Sequence, residues 1–348
     1  WLCQPDRFRI DLTCDGADCI AWGADRAFVF RKKAQNIVWG FPDDCRYSPV
    51  LPSLFMNRFL AIILMSLFIV ACGPKQLEPD EAFDCLNCES WNTPQEPFRI
   101  YGNTWFVGTA GLSSILIETD DGLILIDGAL PQSAPLIDVN IRKLGFDPHE
   151  IKAILLSHGH HDHAGGINAL QRISGAAVYT SDAGQQVLMS GELQDDDPQY
   201  LRYSDASGIP AVKNVVAIGD REVVSIGTVD VMAVYTPGHT PGGITWVWES
   251  CALRGCYDTV YADSLSAVSA EGYYFSDGPA ANQIIESAGV IADLDCDILL
   301  SPHPFFFGMQ AKLEKRDEGN PFVNNVACMI YTETALDWLE QRLQSEGG

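Results

Sequence analysis

The chain has 348 residues, 47% of them hydrophobic and 20% charged, a composition that excludes a disordered tail protein, a collagen and a multi-span membrane protein. Acidic residues outnumber basic ones 46 to 22, for a net charge of −24, so the surface repels phosphate and no nucleic-acid partner is expected. No local basic patch offsets this; the densest cluster downstream of residue 72 is Lys312, Lys315 and Arg316.

Residues 1–55 contain four cysteines, no methionine and no sustained period of 2 or 3.6. Met56 then opens an export signal over 56–71: Asn57-Arg58, followed by the 13 apolar or small residues Phe59–Ala71. Thirteen residues span about 20 Å as a helix, short of a ~30 Å hydrocarbon core, so this is a signal-peptide segment rather than a membrane span. Ile69-Val-Ala-Cys-Gly73 resembles the lipobox of bacterial lipoproteins, which implies lipid on Cys72, periplasmic location and anchoring to the outer membrane by lipid only. Because an export signal works at an N-terminus, 1–55 is read as upstream sequence outside the working protein. Residues 72–97, polar and Pro-containing, are expected to form a tether or N-terminal arm.

Strand-like runs follow at Phe98–Tyr101, Thr104–Val107, Ser114–Glu118 and Leu123–Asp127, with Asp120-Asp-Gly122 as a turn. Ala134–Leu144 has Ile137, Ile141 and Leu144 at helical spacing, closed by Gly145. Ile151–Leu156 is an apolar strand, Ala164–Ile173 a helix, Ala177–Thr180 a strand and Ala183–Met189 a helix. Glu192–Ser207 is acidic and polar, and is expected as a surface loop. Val215–Ile218, Glu222–Ile226 and Val229–Tyr235 form a second meander; Ile244–Trp248, Thr259–Ala262 and Asp297–Ser301 are further strands. Pro279–Leu294 and Val326–Leu343 are helical. The order predicts one α+β domain over 98–348, with two sheets packed face to face and helices outside.

Four of the seven histidines lie in Ser157-His-Gly-His-His-Asp-His-Ala-Gly-Gly166, where a buried strand ends. His158, His160, Asp162 and His163 can converge on one point, and imidazole with carboxylate suits Zn²⁺. His239, in Pro237-Gly-His-Thr-Pro-Gly-Gly243, and His303, in Ser301-Pro-His-Pro304, also follow strands. Five His and one Asp are too many for one tetrahedral zinc with an open position, but right for two zinc ions with three protein ligands each. His161 is read as a structural or supporting residue and His149 as a surface one. Asp127, ending a strand near the site, either caps a turn or, the favoured reading, hydrogen-bonds a ligand His. Cys251 and Cys256 would staple a hairpin tip, leaving Cys296 and Cys328 to pair over a longer loop. For Cys85-x-x-Cys88, a local bridge or spare thiols are both open, with redox or metal roles less favoured.

These segments, with Ala262-Asp-Ser-Leu-Ser266 and Pro302-His-Pro304, resemble the metallo-β-lactamase superfamily. Asp263–Ser266, Gly272-Tyr-Tyr-Phe275, Asn320-Pro-Phe-Val323 and the Cys296/Cys328 pair are similar to the third subclass of class B β-lactamases, with Ser264 where another subclass has a cysteine ligand. The resemblance implies a four-layer αβ/βα sandwich and two Zn²⁺, the first on His158, His160 and His239, the second on Asp162, His163 and His303. It implies hydrolysis of the β-lactam amide bond of penicillins, cephalosporins and carbapenems, conferring antibiotic resistance, with Asp162 orienting a zinc-bound hydroxide. Ser264 and Ser266 would face the substrate carboxylate, and Asp263 would support the ligands; a monomer is expected. A lactone or thioester hydrolase of the same fold, with Asp263 bridging the metals, is the alternative. A non-catalytic zinc-storage lipoprotein is a third reading.

Overall fold

The computed structural model describes residues 11–15, 18–22, 27–31, 77–200, 208–253 and 255–347. The signal segment 56–71 and Cys72 lie outside the described residues. The chain divides into two units, Trp1–Cys72 and Gly73–Gly348. In the first, Asp11–Asp15 (β1), Asp18–Trp22 (β2) and Ala27–Arg31 (β3) pair antiparallel in chain order. No alternation in the sequence announces these strands. The β1–β2 pairing ends at Asp15↔Asp18.

The second unit holds two sheets. Phe98–Tyr101 (β4), Thr104–Phe106 (β5), Ile115–Thr119 (β6), Gly122–Ile126 (β7), Ile151–Leu155 (β8), Ala177–Thr180 (β9) and Val215–Ala217 (β10) line up as β10-β9-β8-β7-β6-β5-β4. Neighbours are antiparallel from β4 to β7 and parallel from β7 to β10. Val223–Ile226 (β11), Val229–Tyr235 (β12), Ile244–Ala252 (β13), Gly255–Tyr261 (β14) and Ile298–Leu300 (β15) form the other sheet in chain order, antiparallel except for β14–β15. The helices are Cys88–Trp91 (α1), Ala134–Lys143 (α2), His161–Ala164 (α3), Ile167–Ser174 (α4), Asp182–Ser190 (α5), Ala280–Ala292 (α6), Met309–Glu314 (α7) and Ala327–Glu346 (α8).

Strand alternation sorts the core into two layers. Ile115, Ile117, Ile124, Ile126, Ala153 and Leu155 point inward between the sheets, meeting Val231, Ala233, Ile244, Trp246 and Val260. Their neighbours Leu116, Leu123, Leu125 and Ile154 point outward, onto Ile137 and Ile141 of α2, Leu170 of α4 and Leu188 of α5. On the far side, Ile284 and Ile291 of α6 and Ala335 and Leu339 of α8 join the inter-sheet cluster. The result is the expected four-layer sandwich. Polar atoms also cross between the sheets: Trp246 Nε1 donates to Leu156 O at 3.1 Å and Trp248 Nε1 to Thr104 Oγ1 at 3.0 Å.

Of tether and arm, the described part is an arm from Leu77 onward: Leu77 is buried, and Phe83 exchanges two backbone hydrogen bonds with the Gln132 side chain, at 3.1 and 2.8 Å. Apolar Leu77 and Phe83 among polar neighbours give the arm its grip. The segment read as a surface loop carries Asp197 and Gln199 inward, both buried, because His160 offers a partner that the sequence does not reveal. The helix expected from Ala164 is two helices, α3 and α4, meeting at Gly165-Gly166. A Cβ on Gly166 would lie 2.2 Å from Gly128 O, so this close approach of backbones requires glycine.

Among the described residues, disulfides join Cys85–Cys88, Cys251–Cys256 and Cys296–Cys328. Cys251 and Cys256 face each other across β13 and β14, which run longer than the sequence suggests. Cys296–Cys328 ties the start of β15 to α8 over a sequence separation of 32. The loop-entropy relation puts a closure of that length at about 3–4 kcal/mol. Replacing Cys296 and Cys328 together by Ala should lower the unfolding free energy in urea by about that amount, against less for the Cys251/Cys256 pair.

Candidate metal centre

The candidate ligands all sit at strand ends along one rim of the sandwich. β8 delivers His158, α3 carries Asp162 and His163, β12 leads to His239 and β15 to His303. Parallel pairing of β7 with β8 and of β14 with β15 brings these C-terminal ends to the same edge. His158, His160 and His239 form one triad and Asp162, His163 and His303 another; within each, the donor atoms lie within 4.8 Å of one another. Five of these side chains are buried, and His303 is 20% exposed.

The second nitrogen of four ligand histidines is held by a protein oxygen. His158 Nδ1 lies 2.7 Å from Asp263 Oδ1, and His160 Nε2 lies 3.2 Å from both oxygens of Asp197. His239 Nδ1 lies 2.8 Å from Ser266 O, and His303 Nδ1 lies 3.2 Å from Gly111 O. Such partners orient the rings and raise their basicity. They leave His158 Nε2, His160 Nδ1, His239 Nε2 and His303 Nε2 for a metal.

The residues fit a metal pair. His158 Nε2 is buried without a hydrogen-bond partner, which is costly unless a cation accepts the lone pair. Burial, with His163, His239 and His160 nearby, holds His158 well below its usual imidazole range; burial and His160 lower His239 to about 3. Both rings are therefore neutral, as metal ligation requires. Burial alone would raise Asp162, but the His163 charge and hydrogen bonds from His163 and His303 hold it well below the usual carboxylate range. Its Oδ2 lies 3.3 Å from both His163 Nε2 and His303 Nε2.

Asp127 departs from its expected role. It lies 3.8 Å from His163 Nδ1, an ion-pair distance and not a hydrogen bond. Its oxygens accept instead from Ser157 N at 2.8 Å, Ser157 Oγ at 2.7 Å and Tyr261 Oη at 2.7 Å. Asp263 cannot bridge the metals, because its carboxylate is behind His158 and outside both triads. Ser266 lines the cavity, whereas Ser264 is 1% exposed and places its hydroxyl 3.1 Å from that of Ser266. Ser264 thus lies behind Ser266 rather than facing a substrate. His161 belongs to neither triad; its ring packs 4.5 Å from that of Phe83. Sequence reasoning missed Asp197, since nothing distinguishes it from Asp195 and Asp196 until the loop folds over His160.

Both triads open onto a cavity of about 610 Å³, walled by Trp91, Phe305, Phe306 and Trp338. Trp91 packs its ring 5.2 Å from that of His303.

A profile of the Metallo-beta-lactamase superfamily matches residues 108–303. The chain belongs to that superfamily. Among solved structures, the chain is 42% identical to the Rm3 metallo-beta-lactamase, covering 76% of this chain and 100% of that one with a TM-score of 0.74. It is 43% identical to MEM-A1, a subclass B3 metallo-beta-lactamase isolated from a soil metagenome library, covering 74% and 98% with a TM-score of 0.71. An N-acyl homoserine lactonase of Bacillus thuringiensis is 30% identical over 150 residues, 36% of this chain and 54% of the lactonase. A probable polyketide biosynthesis zinc-dependent hydrolase of Bacillus subtilis (strain 168) is 25% identical over 138 residues, 40% and 49% of the two chains. The chain spans about half the length of these curated relatives.

Asp263→Asn and Asp197→Asn should each weaken metal binding at the first triad by about 10–100-fold, leaving the second triad less affected. Competition titration with a metal-binding dye checks this. Gly243→Ala should act in the same direction as Asp263→Asn, because its Cβ would fall 2.3 Å from Asp263 Oδ2 and displace that carboxylate.

Proposed function

We propose that the protein is a dizinc β-lactamase that hydrolyses the amide bond of penicillins, cephalosporins and carbapenems and so confers resistance to them. The observation that carries this reading is the pair of complete three-ligand triads, side by side on one wall of a cavity large enough for such a bicyclic substrate. The likeness to metallo-beta-lactamase structures over nearly their whole length, one of them of subclass B3, supports it.

When bound, a zinc pair supplies an activated water and a Lewis acid for the lactam carbonyl. The protein's own residues do the rest. His158 and His239 are held neutral, and His158, His160 and His239 are aimed by Asp263, Asp197 and Ser266 O. Asp162 brings negative charge to the second triad, and in this reading its carboxylate orients the attacking water. In this reading the Ser266 hydroxyl donates to the substrate carboxylate; among the described residues the cavity lining contains no Lys or Arg, and hydroxyl and metal charge share that task. Trp91, Phe305 and Phe306 cover the apolar part of the substrate and limit water.

Export with lipid on Cys72, and anchoring to the outer membrane, belong to the same reading. Cys72→Ser should move the enzyme from the membrane fraction to the soluble periplasm, or block its processing, without changing hydrolysis. Lactone hydrolysis is the second reading, favoured by the partial match to the lactonase. Steady-state kcat/KM for a penicillin, a cephalosporin and a carbapenem should exceed that for an acyl-homoserine lactone and a glutathione thioester. Chelation should abolish it and two equivalents of zinc restore it. His239→Ala should empty the first triad, while His303→Ala weakens the second. A lactone preference, or activity that survives complete metal removal, would overturn the proposal.

A further inference from the structure

Cys85-x-x-Cys88 takes no part in either triad, yet it lies against the ligand loop. The donor atoms of Cys85, Cys88 and His161 all fall within 4.8 Å of one another. Cys88 and His161 are buried, at 4% and 3% exposure, while Cys85 is half-buried and gives solvent a way in. Cys88 N donates to Cys85 O at 3.1 Å, so the segment turns tightly and presents both sulfurs on one side. The arm around them is fixed: Gln132 holds the Phe83 backbone, Arg172 reaches Asp80 at 2.6 Å, and the Phe83 ring packs at a tilt against His161. The disulfide already present shows that these sulfurs meet in front of His161.

We propose that reduction of the Cys85–Cys88 disulfide creates a third metal site, with Cys85, Cys88 and His161 as ligands and zinc as the ion it takes. A dithiol reductant transfers two electrons and two protons to the S–S bond, giving two thiols and the reductant's own disulfide. Zn²⁺ then displaces the two thiol protons to solvent, and the imidazole nitrogen of His161 contributes a lone pair. The two thiolate charges cancel that of the ion, which suits a buried place. Opening the bond lets the sulfurs separate to about 3.7 Å, the spacing of two thiolates on one tetrahedral zinc. That movement is small against the 4.8 Å spread of the donors. The two-residue spacing is itself that of a zinc-chelating cysteine pair.

The site would report redox state to the cavity. Cys88 begins α1, whose Trp91 packs on His303, and Asn87, Ser90 and His161 line the same cavity. Ligand chemistry also separates this site from the triads, which contain no sulfur.

The test is cobalt titration of the whole exported protein, oxidised and after anaerobic reduction with a dithiol and desalting. Oxidised protein should take up two equivalents with no thiolate-to-cobalt charge-transfer band. Reduced protein should take up a third equivalent and show that band. In Cys85→Ser/Cys88→Ser both should be lost, and the oxidised uptake of this variant reports whether it has folded. His161→Ala should weaken the third equivalent by about tenfold or more, a loss expected for removing one metal contact. Two outcomes would overturn the proposal: no third equivalent and no band in wild-type protein whose Cys85 and Cys88 map as free thiols, or the same band in Cys85→Ser/Cys88→Ser. The proposal rests on the two-zinc reading for its baseline alone. An error there changes the oxidised count, whereas failure of the proposal shows only after reduction, as no band in the wild-type protein or as a band that Cys85→Ser/Cys88→Ser keeps.

Discussion

A buried carboxylate, Asp127, joins the two sheets beneath the ligand loop. It stands at the end of β7 with a φ of 59°, in the left-handed region that few residues other than Gly adopt, though Asp tolerates it better than most. The cost of that conformation is offset by three hydrogen bonds. Two come from Ser157, which immediately precedes the first ligand, and one from Tyr261 at the end of β14 in the other sheet. Burial raises the Asp127 carboxyl above its usual range, and the facing His163 charge, with these hydrogen bonds, works the other way. Without this carboxylate, Ser157 N and the Tyr261 hydroxyl would be left in the core without an acceptor. The position of His158 relative to the second sheet depends on it.

From that junction the rest of the centre follows. Ile244 N donates to Ser157 O at 2.8 Å, which fixes where β13 meets the loop and hence where the Pro237–Gly243 turn carries His239. Tyr261 leads within two residues to Asp263, which aims His158. Tyr331 on α8 donates to Asp263 O and, through its oxygen, accepts from Leu265 N at 3.2 Å, so the outer helix steadies the same segment. The ligands are therefore placed by hydrogen bonds within a rigid sandwich rather than by the metals alone. This is the preorganisation that a metal-assisted hydrolase needs. The N-terminal arm completes it from the other side: Gly111 N donates to Trp91 O at 3.3 Å, and Gly111 O holds His303.

Much of this was legible in the sequence, for definite physical reasons. The unbroken apolar runs Ile115–Ile117 and Leu123–Ile126 specify strands with two buried faces, because a strand that meets a core on each face has no polar alternation. The spacing His158, His160, Asp162, His163 identifies a metal loop, because side chains at those intervals can converge only when a strand gives way to a helix. His239 and His303 follow for the same reason, each standing just past a buried strand and next to residues that turn the chain.

What only the tertiary structure decided is which oxygen stands behind each ligand. Asp197, Asp263, Ser266 O and Gly111 O come from three segments, spread from Gly111 to Ser266, and no local pattern distinguishes Asp197 from its acidic neighbours. The same holds for Ser264 and Ser266: the sequence offers two equivalent hydroxyls, and packing buries one and leaves the other on the cavity wall. Local propensity and periodicity act over a few residues and determine the elements and the ligand types. The support of those ligands arises from contacts between distant segments, set by how two sheets and an N-terminal arm close around a common rim.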